Sequence, residues 1–488
     1  MEDVPYKKTL IQYVIHWANY RPDSIALVDP YRQLSYIELK KEIIYIQHFL
    51  LNSGINKGVT VAISSQKSVD LIVFYLALFG LGVNVVPLPE QIDDIKKVRN
   101  LIKLTHVNYV LTNTDLLKRG TWNLFQVESF LNMADRTVVN FQEIYARNKS
   151  ELTVYDENEQ VYFNITSGST GNSKAARVGN KEIIYNAIKV NELFPITYKD
   201  CYCCLFSSEM HPHEIFAKSI VSGAKCLLLS NFHIRHFKRY LIKEGITHLL
   251  TTPNILQKLL SLVPDTETWQ GIKYSLTGGE NVPYVLRKEF HEITSKKLIT
   301  AWGSTETTGI VITLPEEYSL DHRNVLGVPI PGYDIKIIPE TSELLITGES
   351  CIKSYWNFSG TSPIDETGYY HTSDIVSIDE TGVLFYEGRL DSIIKVGAKK
   401  LSLIHIENQL LQIKGLSEIS VLYNQYKMKT FVFFCLTDKQ YLDDVIFKVK
   451  ELLKQEMNTQ GFRLIHLPNL PKLSNGKVDK QKLLVTFE

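Results

Sequence analysis

The stretch Phe163-Asn164-Ile165-Thr166-Ser167-Gly168-Ser169-Thr170-Gly171-Asn172-Ser173-Lys174 decides how this chain is read. Hydroxyls, glycines and one lysine crowd the nine residues from Thr166 to Lys174. Such a loop can wrap a polyphosphate. Gly168 and Gly171 let the backbone approach closely and turn N–H groups inward. Thr166, Ser167, Ser169 and Thr170 offer hydroxyls to phosphate oxygens, and Lys174 supplies charge. A Walker loop needs Gly before its Lys and Ser or Thr after it. Ser173 and Ala175 stand there instead. A polar surface loop is the plain alternative, and the rest of the chain decides between the two.

Four more segments follow in order. They are Ala301-Trp302-Gly303-Ser304-Thr305-Glu306, Tyr370-His371-Thr372-Ser373-Asp374, Gly388-Arg389-Leu390-Asp391-Ser392-Ile393-Ile394-Lys395 and Leu470-Pro471-Lys472-Leu473-Ser474-Asn475-Gly476-Lys477-Val478-Asp479. Together the five resemble the adenylate-forming superfamily. Its members include acyl-CoA synthetases, adenylation domains of non-ribosomal peptide synthesis, D-alanine–carrier ligases and luciferases. The resemblance runs from about Leu10 to Lys480. It implies an α/β fold with a large N-terminal AMP-binding domain, residues 1–388, built of mixed, largely parallel sheets and helices. A small mobile α+β lid domain, residues 391–488, would follow a hinge at about Asp391.

Composition agrees with that class. The 488 residues suffice for more than one domain. Lys plus Arg and Asp plus Glu both total 53, which argues against a broad electrostatic grip on nucleic acid or anionic membrane. The start, Met-Glu-Asp-Val-Pro-Tyr-Lys-Lys, is no signal peptide. The apolar run Leu71 to Val83 is short for a membrane span and reads as a buried helix. The six cysteines show neither zinc-clip nor disulfide-framework spacing. Reduced thiols and a cytoplasmic protein are expected.

Alternating helices and strands are expected in the N-terminal part. Ser35 with Glu38 forms a capping box. Ile37, Ile43, Ile44, Ile46 and Leu50 then suit a helix face that Gly54 can stop. Val59 to Ser64 reads as a strand, Val69 to Phe79 as a helix and Val83 to Pro87 as a strand. Similar units recur at Ala224 to Leu229 and Thr247 to Thr252. This alternation favours βαβ units. Near the C-terminus, Leu403 to Ile413 and Leu442 to Met457 read as helices. Ile419 to Leu422 and Thr430 to Phe434 read as strands.

The resemblance assigns roles. ATP and Mg²⁺ are the implied cofactors. The Thr166–Lys174 loop would hold pyrophosphate, Thr305 would contact the α-phosphate, and Glu306 would help hold Mg²⁺, a hard ion suited by carboxylate and phosphate oxygens. Trp302 would stack on adenine, bordered by Gly278-Gly279-Glu280, with Gly303 and Ser304 completing the turn. Asp374 would take the ribose hydroxyls, with Arg389 in support. Lys477 matches the C-terminal catalytic lysine. It would reach between the substrate carboxylate and the ribose–phosphate, then leave with its domain when the hinge at Asp391 turns. The opposite face, Lys395 to Lys400, would admit a pantetheine thiol.

Several positions depart from the pattern. Ser173 replaces a usual Pro, Ala175 a usual Gly, and Ser373 the Gly before the ribose Asp. Ala398 replaces a Gly that lines the thiol tunnel in relatives, and Lys400 keeps a charge without the planar fork of Arg. In amino-acid-activating relatives an Asp pairs with the substrate ammonium. Alignment on Glu214-Ile215-Phe216 places Glu209 there. Met210, His213, Leu276, Gly278, Ala301, Gly309 and Ile310 would line the rest, with Ala301 and Gly309 leaving depth.

The reading is an ATP-dependent ligase that makes an acyl-AMP from an amino acid, aryl acid or aliphatic acid. It would then load the phosphopantetheine of a carrier protein, as in secondary metabolism. No carrier domain follows Lys480, so a separate carrier is expected. Coenzyme A is the alternative acceptor. A catalytically inactive adenylate-binding regulator is the alternative of another class.

Overall fold

The computed structural model describes residues 5–90, 95–112, 129–132, 152–154, 160–166, 174–314, 324–390, 393–396, 399–424, 429–457, 462–472 and 478–487. The chain divides into two compact units. One comprises Met1–Leu320, Val328–Asp334 and Thr347–Tyr370; the other comprises Asp321–Gly327, Ile335–Ile346 and His371–Glu488.

The first unit carries two sheets whose middles are parallel, as alternating strands and helices require. One sheet runs Tyr355–Trp356, Lys174–Gly179, Gln160–Thr166, Asn84–Pro87, Thr60–Ser64, Tyr109–Thr112, Ser129–Asn132. The other runs Gly309–Thr313, Ile299–Ser304, Tyr274–Gly278, His248–Thr251, Cys201–Cys204, Lys225–Leu227, Ile25–Val28, Gln33–Ser35. Antiparallel strands flank the parallel middle of each sheet, and the Thr166–Lys174 and Ala301–Glu306 segments fall there.

Local chemistry explains the elements. Ser35 accepts the N–H of Glu38 and Glu38 reaches back to the Ser35 N–H, so the capping box starts helix Tyr36–Asn52 as expected. Gly54 follows it with φ +83°, a turn conformation that glycine adopts freely. Helix Val69–Gly80 is buried on every side except at Asp70, which fits a helix apolar all round. Among the described residues no helix is long and apolar enough to cross a membrane. All six cysteines are buried and free, and burial pushes their thiols up, Cys204 to about 11.

In the second unit, strands Tyr370–Ile378 and Leu384–Arg389 pair antiparallel, with Asp374 opposite Arg389. Strands Leu416–Asn424, Lys429–Leu436 and Phe462–His466 form a three-stranded sheet. Helices Leu403–Leu410 and Leu442–Met457 cover it through Ile406, Leu410, Val445, Val449 and Leu453. The ribbon Ile393–Val396 with Lys399–Ser402 lies at the start of this part of the chain. Asp391 falls outside the described residues.

Candidate functional site

Strands Gln160–Thr166 and Lys174–Gly179 are antiparallel, and Thr166 faces Lys174 in register. The two ends of the expected phosphate loop are therefore held side by side. Ser167, Gly168, Ser169, Thr170 and Gly171, with Asn172 and Ser173, lie outside the described residues. Lys174 Nζ sits 4.8 Å from the Phe358 ring centre and 5.4 Å from that of Tyr355. These rings attract the ammonium electrostatically. Tyr355 belongs to the next strand, paired at Ala176. Its hydroxyl donates to Glu306 Oε1 at 2.5 Å. Burial and the nearby Glu306 carboxylate raise the Tyr355 phenol, so it remains a donor. One tyrosine thus joins the expected phosphate lysine to the expected metal carboxylate.

Glu306 sits in the turn between strands Ile299–Ser304 and Gly309–Thr313. The turn closes on its own side chains. Ser304 Oγ accepts the N–H groups of Glu306 and Thr307, both at 3.2 Å. Thr307 Oγ1 accepts the Ser304 N–H at 2.9 Å. Ser350 donates to the Thr307 carbonyl, and the Ile352 N–H to the Glu306 carbonyl. Thr305 stands half-buried in this turn beside the buried Glu306. Gly303 is needed for contact, since a Cβ there would strike the Gly309 carbonyl.

The expected adenine border is also assembled. Gly278 pairs with Ala301, and a Cβ on Gly278 would strike the Ala301 carbonyl. Glu280 accepts from Asn254 Nδ2 at 3.0 and 3.3 Å. Trp302 is half-buried on the neighbouring strand. In the second unit, Arg389 Nη1 donates to Asp374 Oδ1 at 2.9 Å. Asp374 is buried, and its N–H is accepted by Thr372 Oγ1.

The expected acyl wall holds more charge than its sequence suggested. Met210 Cε lies over Gly279, so an expected lining residue meets the expected adenine border. Burial raises the Glu209 carboxyl above the ordinary range, while nearby hydrogen-bond donors and Lys67 pull it back. Lys67 is itself buried, donates to the Cys204 carbonyl at 2.9 Å, and is pushed down by burial. His213 is fully buried against the Tyr162 hydroxyl, 2.6 Å from Nδ1, and burial pushes it down to about 3. Glu214 forms a buried ion pair with Lys218. Burial alone would raise Glu214, but Lys218 and His213 outweigh it and the carboxyl is lowered.

Leu276 and Ile310 line one small cavity with Tyr202, Lys218 and His248. Gly309 does not open the expected depth. Its φ is +116°, and a Cβ would strike Asn186 Oδ1 and Glu214 Oε1. The missing side chain there makes room for two buried oxygens.

Lys477, Asp391 and Ala398 lie outside the described residues, and the side chains of Lys395 and Lys400 are not described. Among the described residues no cluster of three or more His, Cys, Asp or Glu side chains could hold a metal. Mg²⁺ does not need one, because it is typically bound by one or two carboxylates plus substrate phosphates. Glu306, whose Oε1 accepts from Tyr355, offers a carboxylate of that kind. The sequence alone did not single out Tyr355, Lys67 or Asn254. Each partners a residue at least 26 positions away, and no local pattern marks it.

Comparison with known proteins gives the class to which this chain belongs. The family model described as AMP-binding enzyme matches residues 14–360. The chain belongs to the AMP-binding enzyme family, the adenylate-forming ligases. It is 24% identical over 507 residues to bacitracin synthase 3 of Bacillus licheniformis, covering 99% of this chain and 8% of that protein. It is 24% identical over 516 residues to gramicidin S synthase 1 of Brevibacillus brevis, covering 99% of this chain and 45% of that protein. The chain therefore spans less than half the length of these curated relatives. Its fold matches O-succinylbenzoate coenzyme A synthetase (MenE) of Bacillus subtilis, solved with ATP and magnesium. That match has a TM-score of 0.82 and 20% identity, covering 97% of this chain and 99% of that one.

Proposed function

We propose that the chain uses ATP and Mg²⁺ to convert a carboxylic acid into an acyl-adenylate, then passes the acyl group to a phosphopantetheine thiol of a carrier protein. A substrate carboxylate oxygen attacks the α-phosphorus, and the bond to pyrophosphate breaks. The thiol, losing its proton, then bonds to the acyl carbon as AMP leaves. The observation that carries this reading is the Tyr355 bridge between Lys174 and Glu306.

An anionic acid attacking an anionic phosphate needs fixed positive groups. Lys174 and the loop from Thr166 hold the leaving pyrophosphate. Thr305 steadies the α-phosphate. Mg²⁺, held by Glu306, neutralises phosphate charge when bound. Trp302 and Gly278-Gly279-Glu280 frame adenine, Asp374 takes the ribose hydroxyls, and Lys477 bridges the reacting groups. A hinge at Asp391 between residues 1–388 and 391–488 separates the two half-reactions. The protein acts in the cytoplasm.

Coenzyme A is the second reading of the acceptor, favoured by the fold shared with a coenzyme A synthetase. Acid-dependent exchange of labelled pyrophosphate into ATP, screened over many acids, tests the first half-reaction. Thioester formation on coenzyme A against a panel of carrier proteins tests the second. Glu306→Gln is expected to lower exchange by about 10²-fold, the scale for one lost transition-state contact. Full exchange by that variant would sink the assignment.

A further inference from the structure

Ser373 has φ +60°, in the left-handed region that side chains other than glycine rarely occupy. It stands one residue before Asp374, in a position where a glycine would be at ease. A strained backbone of this kind persists only where its surroundings hold it. Here the start of one strand, Glu343–Gly348, supplies the grip. Glu343 Oε1 accepts the Ser373 N–H at 2.9 Å. Its other oxygen, Oε2, lies 3.2 Å from His371 Nδ1. The next residue, Leu344, accepts the Thr372 hydroxyl at 2.7 Å, and that same hydroxyl oxygen accepts the Asp374 N–H at 3.0 Å. Three consecutive residues before Asp374 are thus clamped from Glu343 and Leu344. The Glu343 side chain is only 8% exposed, so these charge-assisted bonds are shielded from water.

We propose that Glu343 is a positioning residue for Asp374: its carboxylate holds the left-handed backbone of Ser373, within the strand, that aims the Asp374 side chain at the nucleotide ribose. The proposal rests on the reading of Asp374 as the ribose ligand. It differs from a purely structural role in one respect. If Glu343 acts by holding a strained serine, removing the strain makes Glu343 dispensable. Glycine at 373 removes it, because glycine adopts positive φ at no steric cost.

The test uses the full chain in acid-dependent pyrophosphate exchange, comparing KM and kcat for ATP and 2′-deoxy-ATP. Glu343→Ala is expected to raise the ATP KM about tenfold, the size of one lost charge-assisted bond. It should change kcat and the 2′-deoxy-ATP KM much less. Glu343→Gln keeps an acceptor for the Ser373 N–H and should stay near wild type. The decisive variant is Glu343→Ala combined with Ser373→Gly, which should return the ATP KM to within about twofold of wild type. An unchanged KM in Glu343→Ala, or a double variant as poor as the single one, overturns the proposal. If Glu343→Ala alone fails to fold, a folded double variant with normal ribose discrimination supports it, and a double variant that also fails to fold overturns it. Asp374→Ala is the separate control. If that variant still prefers ATP over 2′-deoxy-ATP, the ribose reading itself is wrong, whatever the Glu343 variants do.

Discussion

Glu209 and Glu214 lie five residues apart in the sequence, yet the fold treats them in opposite ways. Glu214 is sealed in, and Lys218, four residues on, holds its carboxyl low. Glu209 is half-buried, and burial holds its carboxyl high, with Lys67 offsetting only part of that cost. Neighbouring carboxylates whose environments push them apart generally have different tasks. The first has one oxygen paired with Lys218, while its Oε1 is buried with no hydrogen-bond partner among the described residues. The second is the carboxyl that a substrate ammonium would meet under the amino-acid reading. The contrast turns the question of substrate class into one about Glu209 alone.

Breaking the sealed pair should have the largest effect. Lys218→Met leaves a buried, uncompensated carboxylate, which typically costs about 3–5 kcal/mol. Chemical denaturation followed by the fluorescence of Trp17 and Trp269, both buried in the same unit, reads it. Combining Lys218→Met with Glu214→Leu should recover most of the loss, because no charge is left behind. A single variant as stable as wild type would show that the pair is not sealed.

Glu209 should respond the other way. A carboxyl whose folded pKa is raised contributes stability below its unfolded pKa, and that contribution is lost as pH rises through the folded value. At neutral pH, Glu209→Gln is therefore expected to raise the melting temperature of the free enzyme. The same variant should weaken binding of an amine-bearing acid by at least about 2 kcal/mol, the lower end for a broken buried charge pair. Should amine-free aryl or aliphatic acids exchange best, unaffected by Glu209→Gln, the amino-acid reading fails and the contrast has no catalytic meaning.

Much of this molecule is legible in its sequence wherever the cause is local. The Ser35–Glu38 box, the buried helix from Val69 and the strands at Thr60, Asn84 and His248 follow from caps, periodicity and short apolar runs. Helix Leu442–Met457 has the expected limits. The motif residues Lys174, Glu306 and Gly278 stand on strand ends and turns, and Asp374 stands mid-strand. What holds them was not legible. Tyr355 reaches Glu306 from 49 positions away, and Glu343 reaches Ser373 from 30. Such partners are chosen by sheet order, which leaves no local pattern. Gly309 shows the complementary limit. A small residue on a pocket strand reads as space, yet here it accommodates Asn186 and Glu214. The Glu214–Lys218 spacing was visible, but that pattern usually marks a solvated helix face, and only tertiary packing buries it.

His213, between the two carboxylates, offers the finest probe of the sealed side. Its imidazole is 1% exposed and is pushed down to about 3, first by burial, with Glu214 opposing and His211 and Lys218 adding to the shift. In the unfolded chain it titrates near 6.5. Between those values the unfolded state binds one more proton than the folded state, so stability falls as pH is lowered. The expected slope from this one residue is about 1.4 kcal/mol per pH unit below 6.5. His213→Asn keeps an acceptor for the Tyr162 hydroxyl and removes the titration. Other groups, His248 among them, contribute to both proteins and cancel in the difference. Unfolding free energies measured from pH 7 to pH 5 should therefore fall less steeply in the variant, by about 0.7 of a proton on average and close to one at pH 5. If the two slopes coincide, the imidazole takes up its proton in the folded state. Water would then reach the wall beside Glu214, and that carboxylate would be as open to a substrate cation as Glu209.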